Sequence, residues 1–262
     1  MTKFANRFVD SLVKAGKKNW LIRLVVFGAL VSPFILVASF SYVKTNRDLT
    51  SFTLARRESV ASLAALVLEE KFDRLIDIGV SFATRVQFRK LVSEGKWQEA
   101  IQILQSVPID FLFIDRVFLA DPEGTLMADV PALPGVRGQN FALRDWYQGV
   151  SRTWRPYISE VYKRAAEPHY NVLAVAIPVK AEEPKIVGIL VLQVRLETLL
   201  MWSNTIEGAA SDLVSFVDTK GHIASHPKFP PQGDIVDFSS LSVVQKVLQG
   251  HGGVERLFPA RR

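Results

Sequence analysis

The stretch FALRDWYQGVSRTWRPYISEVYKRAAEPHYNVLAVAIPV, Phe141 to Val179, decides how the rest of the chain is read. Within thirty residues it gathers Arg144, Trp146, Tyr147, Trp154, Tyr157, Tyr162 and Tyr170, and it then runs into an apolar strand. Indole and phenol rings join an apolar body to a polar tip, which suits a pocket that grips a small polar molecule better than a plain core. Arg144 presents a planar fork of donors matched to a carboxylate, and Trp146 and Tyr147 can wall the space beside it. Tyr157, Ser159 and Tyr162 lie on a segment that reads as extended, where all three can face one side. The competing reading pairs Arg144 with Asp145 or Glu160 and puts the rings in the core.

On either side the pattern is that of an antiparallel sheet. Phe113 to Ala120 is an apolar strand, Asp121-Pro122-Glu123-Gly124 is a turn with Pro second and Gly fourth, and Thr125 to Ala128 returns. The Pro- and Gly-bearing segment Ala132 to Asn140 is a loop. A second hairpin pairs Val172–Val179 with Ile186–Leu196 across the polar turn Lys180–Lys185, and Leu196–Asn204 follows as a connecting helix.

The sequence also echoes itself. Asp121-Pro-Glu-Gly124-Thr-Leu-Met-Ala-Asp129 and Asp218-Thr-Lys-Gly221-His-Ile-Ala-Ser-His226 share one design at a constant offset of 97 residues. The echo predicts two copies of one αβ sheet module in series. The first needs about 75 residues from its turn to its last strand, whereas 44 follow Asp218. The second module is therefore expected to be incomplete, with the chain the N-terminal part of a longer receptor or a truncated product.

Upstream, Leu24 to Val43 gives twenty residues without a charge, about the length that spans roughly 30 Å of hydrocarbon. Trp20 and Tyr42 stand near its ends, where amphipathic rings prefer to lie. The net charge of +6 is concentrated ahead of it: residues 1–23 carry six Lys/Arg against Asp10 alone. That bias expects an uncleaved anchor in the inner membrane, N-terminus cytoplasmic and residues 44–262 periplasmic. The remainder has almost no net charge, so no basic face awaits nucleic acid. Thr45 to about Leu104 reads as a long stalk helix with a break near Gly95. Its seam of Ala61, Ala65, Leu68, Phe72, Leu75, Gly79, Phe82 and Val86 can pack on the chain's own domain or on a second copy. A homodimer through the stalk is the expected partner.

Other chemistry finds little support. No cysteine is present, which excludes disulfides and thiolate chemistry. His169, His222, His226 and His251 lack companions that would complete a metal site. The glycines do not form a phosphate cradle, and no nucleophile elbow or convergent acid–base pair emerges. The expectation is no enzyme, no metal and no cofactor.

Taken together, FLADPEGTLMADVP (118–131), NFALRDWYQGV (140–150), PYISEVY (156–162), VLAVAIPV with KIVGILVLQVRL, and FVDTKGHIASHP (216–227) resemble the double Cache family. Those are bacterial extracytoplasmic sensor domains of two PAS-like modules on one long helix. The resemblance implies an α+β fold, with a cytoplasmic basic segment (1–23), a transmembrane helix (24–43) and a stalk (44–105). It places a membrane-distal ligand-binding module at 106–200 and the start of a membrane-proximal module at 201–262. In the family's amino-acid-binding branch a Tyr precedes the Arg by five, a Trp-Tyr follows it, and a late Asp takes the ammonium. Here Arg144, Trp146 and Tyr147 match, the early Tyr position is Gln139, and the late Asp position is Gln193. With Tyr157, Ser159 and Tyr162 from the extended segment, the expected ligand set is Arg144, Trp146, Tyr147, Tyr157, Ser159, Tyr162 and Gln193, for a small carboxylate or polar metabolite. The implied output is a sensor histidine kinase first, with a chemoreceptor or diguanylate cyclase next. An anchored periplasmic interaction protein without a small ligand is the alternative.

Overall fold

A computed structural model describes residues 2–181, 185–205, 214–226, 228–229 and 231–252. The middle of the turn Lys180–Lys185, residue 227 and the last ten residues, all touched by the expectations above, lie outside the described residues. The chain divides into two compact units, Met1–Arg56 and Arg57–Arg262.

The first unit is helical throughout its described length, as part of α1 (Thr2–Ala83), with Pro33 inside the helix. Its apolar window is the one stretch among the described residues long and apolar enough to cross a membrane, and none of that window is buried by protein. Phe27, Phe34, Leu36 and Phe40 all stand exposed, as side chains meant for lipid would.

The second unit is built on a six-stranded antiparallel sheet. Its strands are β1 (Arg116–Ala120), β2 (Leu126–Val130), β3 (Tyr157–Ile158), β4 (Tyr162–Lys163), β5 (Asn171–Lys180) and β6 (Ile186–Arg195). They run in the order β2-β1-β6-β5-β3, with β4 also on β5. Period-two alternation divides the side chains between two cores. Val117, Leu119, Val175, Ile177, Leu190 and Leu192 face one core, and Phe118, Ala120, Ala174, Ala176, Ile189 and Val191 face the other.

Helices cover the first face. Leu68, Phe72, Leu75 and Phe82 of α1 pack on it, so the chain's own sheet takes the lower half of the predicted seam, while Ala61 and Ala65 remain exposed. The helix to about Leu104, expected to break once near Gly95, is interrupted twice. α1 ends at Ala83 and α2 (Val86–Ser93) restarts after the extended Arg85. That break turns Phe88 and Val92, one helical turn apart, into the core. The second break, near Gly95, is a Schellman stop: Gly95 N donates to Val92 O and Lys96 N to Leu91 O, with Gly95 at φ 73°. Two short helices, α3 (Trp97–Gln102) and α4 (Val107–Asp110), lead into β1. On the opposite face lies α5 (Asp145–Thr153), with Trp146 and Val150 buried beneath it. α6 (Leu196–Asn204) follows β6.

The internal echo extends well beyond the turn. β7 (Phe216–Val217) and β8 (Ile223–Ser225) form a second small sheet, followed by α7 (Ser242–Leu248). Asp121 and Asp218 each accept bonds from the backbone two and four residues on, and Gly124 and Gly221 both sit at φ 87°. That left-handed conformation is one L side chains rarely adopt. The matching bonds Phe141 N to Gly124 O and Phe238 N to Gly221 O are also 97 residues apart. So are the bridges Thr125–Asn140 and His222–Asp237, after which each copy enters a helix. Arg144, the residue just before α5, therefore has Leu241 as its counterpart just before α7.

Candidate functional site

Sheet register assembles the floor of a cavity. Arg116 of β1 pairs with Gln193 of β6, and Gln193 pairs with Ala174 of β5. One step along the same face, Phe118 pairs with Val191 and Val191 with Ala176. Small alanines on β5 leave space above this row. The walls are Trp146 from α5, Phe141 and Arg144 from the loop before it, Tyr162 from β4 and Arg164 just beyond. Leu126 and Val136 complete the apolar side. The free volume is about 20 Å³, room for about one water molecule. A larger ligand must displace part of the wall.

Of the seven residues singled out in the sequence, the structure brings Arg144, Trp146, Tyr162 and Gln193 together around this cavity. Arg144 has no acidic partner among the described residues; it donates to Lys163 O at 3.3 Å, and its guanidinium lies 5.4 Å from the Tyr162 ring centre. Gln193 Nε2 donates to the Tyr162 hydroxyl at 2.7 Å, which leaves the Tyr162 proton free to be donated in turn. Burial raises the Tyr162 hydroxyl to about 12, against the lowering effects of the Gln193 bond and of Arg144, Arg116 and Arg164. It is a neutral donor at any physiological pH.

Three residues lie elsewhere. Tyr147 turns its hydroxyl to Pro122 O at 2.9 Å and stacks edge-on against Trp146. Tyr157 packs over Gly149, where an added Cβ would meet its ring at 2.1 Å, and its hydroxyl donates to Asp145 Oδ2 at 3.1 Å. Ser159 is buried, donating to Glu160 O and accepting from Ala174 N. Tyr157 and Ser159 do share a face of the sheet with Tyr162, since they pair with Ala176 and Ala174 of β5 as Tyr162 pairs with Val172, but among the three Tyr162 alone lines the cavity. Both alternatives for the arginine's partner are also excluded by geometry. Asp145 accepts from Tyr157 and from Glu160 N, and Glu160 binds Thr219.

The sequence did not single out Arg116 and Arg164. Arg116 is buried at 3% exposure and donates from Nη2 to Asp129 Oδ2 at 2.7 Å, while its Nε has no partner. Arg164, also buried, holds Asp115 at 2.8 Å and the carbonyl of Pro168. A signal did exist: an arginine opening an apolar run is a charge inside a buried strand, which is seldom seen unpaired.

The segment after β3 ties the two modules together. Asp218 Oδ2 accepts from Val161 N at 3.0 Å, and the Glu160 carboxylate accepts from Thr219 N and its hydroxyl. Burial raises the Glu160 carboxyl above its ordinary 4.5; the Thr219 hydrogen bond opposes this, and the charges of Asp218 and Asp145 reinforce it. A folded-state value above the unfolded one means the folded chain binds the proton more tightly, so stability falls as pH rises through that range. Glu160→Gln should remove this loss. The expected readout is a smaller drop in melting temperature between pH 5 and pH 8 than in the wild type; an equal drop would show that Glu160 is not responsible.

No family model and no curated protein matches the sequence. Solved structures do. The ligand-binding domain of the Pseudomonas aeruginosa amino acid chemoreceptor PctB, in complex with L-Arg, is 19% identical with a TM-score of 0.53. The match covers 65% of this chain and 69% of that one. The ligand-binding domain of Pseudomonas fluorescens chemoreceptor CtaA with L-valine is 19% identical over 65% and 73%, with a TM-score of 0.52. The sensory domain of Campylobacter jejuni chemoreceptor Tlp3 with isoleucine bound is 17% identical over 77% and 81%, with a TM-score of 0.58. The fold of this chain is that of the Cache-type, PAS-like sensor domains.

Proposed function

We propose that this chain is the extracytoplasmic sensory region of a bacterial membrane receptor, and that its first module binds a small carboxylate through Arg144. One observation carries the reading: an arginine with no acidic partner among the described residues lines a cavity with Trp146, Tyr162 and Gln193, on a fold shared with ligand-binding domains. A carboxylate would complete the guanidinium's fork with two parallel bonds. Leu241 at the equivalent point of the second module offers no such fork, which supports assigning ligand capture to the first module alone.

The apolar helix anchors the receptor, with the basic head on the cytoplasmic side by the positive-inside rule. A ligand biases signalling only by its differential affinity for two states of the protein. The cavity supplies such a difference, because it must open to admit anything larger than water. Tyr162 borders it, and the backbone of the adjacent Val161 is bonded to Asp218 of the second module. The output put first by the sequence reading is a sensor histidine kinase; the chemoreceptor alternative gains support from the solved neighbours. Two copies pairing through the exposed upper seam of α1, at Ala61 and Ala65, would be the natural assembly.

Thermal-shift screening of the full chain in non-ionic detergent tests the reading. A small carboxylate should raise the melting temperature, and Arg144→Ala should abolish the shift by removing a charge-assisted bidentate contact, a loss of at least about tenfold in affinity. Silence across carboxylates, amino acids and amines would favour the anchored interaction protein instead.

A further inference from the structure

The cavity holds a surplus of positive charge that a single carboxylate would not balance. Three guanidiniums line it, those of Arg116, Arg144 and Arg164, and among the described residues no acidic side chain does. The two nearby carboxylates are each shared. Asp129 serves Arg116 and Arg137, and Asp115 serves Arg164 and Arg195. Arg144 has neither.

Unmet hydrogen-bonding capacity lies at the floor. Arg116 Nε is buried without a partner, and so is Gln193 Oε1. A buried donor left unpaired is costly, so a site that carries one is built for something that completes it. The Gln193 amide can turn over, letting Tyr162 donate to Oε1 and presenting Nε2 to the cavity. Arg144 and the Arg116–Gln193 floor then both offer donors to an anion. The rest of the lining is largely apolar, with Phe118, Leu126, Val136 and Trp146. Such walls fit a short hydrocarbon chain and contribute nothing to a bare inorganic ion.

We infer that the ligand is an organic dianion, a short-chain dicarboxylate, with one carboxylate on Arg144 and the other on Arg116 Nε and Gln193 Nε2. The inference rests on the carboxylate-binding reading above and specifies its second half. An α-amino acid is disfavoured because its ammonium would meet three cations and no carboxylate.

The test uses the full chain in dodecyl maltoside micelles, with malonate, succinate and glutarate against propionate, butyrate, L-valine and sulfate. At least one diacid should raise the melting temperature by about 5–10 °C at a hundredfold excess over its Kd. It should bind about tenfold or more tighter than the monoacid of equal chain length. Gln193→Asp, which places a carboxylate among the guanidiniums, should weaken the diacid about tenfold and improve L-valine. A monoacid or L-valine binding the wild type as tightly as every diacid overturns the dicarboxylate assignment and leaves carboxylate capture by Arg144 standing. Sulfate matching the best diacid overturns the organic assignment. No shift with any carboxylate overturns both. Diacid affinity that survives Gln193→Asp unchanged places the ligand elsewhere and overturns the proposal as well.

Discussion

Asp129→Ala is expected to cost about 3–5 kcal/mol of stability, because it removes the one acid that, among the described residues, pairs with a guanidinium that water cannot reach. Asp129 is 2% exposed and accepts from Arg116 at 2.7 Å, from Arg137 at 2.5 Å and from Leu133 N at 2.8 Å. Burial alone would raise its carboxyl, but the bonds from Arg137, Leu133 N and Arg116 outweigh this and hold it below 3.8. The stability it contributes is therefore present above the ordinary carboxylate range and is lost as pH falls through the lowered value. Thermal denaturation at pH 7 should show a drop of about 6–20 °C. Arg116→Met in the same chain should recover part of the loss, since it removes the stranded charge. A single-variant drop of under about 2 °C would mean that the guanidinium gains water and that the site floor is open to solvent.

Trp146→Ala should cost about 3–5 kcal/mol for a different reason, the loss of a large buried ring and the cavity left behind. Trp146 is 2% exposed and meets Phe118 edge-on at 5.4 Å and Tyr147 at 5.9 Å. It is also a wall of the cavity, so ligand affinity should fall with stability. Trp146→Phe separates the two effects: denaturant unfolding should recover most of the stability, while any ligand contact made by the indole stays lost. Equal behaviour of the two variants in unfolding would show that the space closes without the ring.

Much of the fold was legible because its signals are local. Near-continuous apolar runs at Val172–Val179 and Ile186–Leu196 can bury both faces of a strand, and strands β5 and β6 lie there. The turn at Asp121–Gly124 needs its glycine at positive φ, and the same turn at Asp218–Gly221 betrays the repeat. The extra break after Ala83 was not legible. No Gly or Pro marks it, and only the burial of Phe88 against the sheet makes the second helix direction favourable.

For the site, the sequence by itself determined the inventory: an arginine set among rings and, through the family resemblance, a glutamine at the late Asp position. It also determined the module to which they belong, through strand periodicity and the echo at 97 residues. Tertiary structure alone decided which members meet. Gln193 faces Arg116 because β6 pairs with β1 in that register, and a one-residue slip of either strand would have put the two on opposite faces of the sheet. Tyr157 and Ser159 were drawn away by Asp145 and by the β5 backbone. Strand pairing joins residues 77 positions apart through backbone bonds that do not depend on side-chain identity, so the cavity's positive floor existed in the chain only as scattered arginines until the sheet closed.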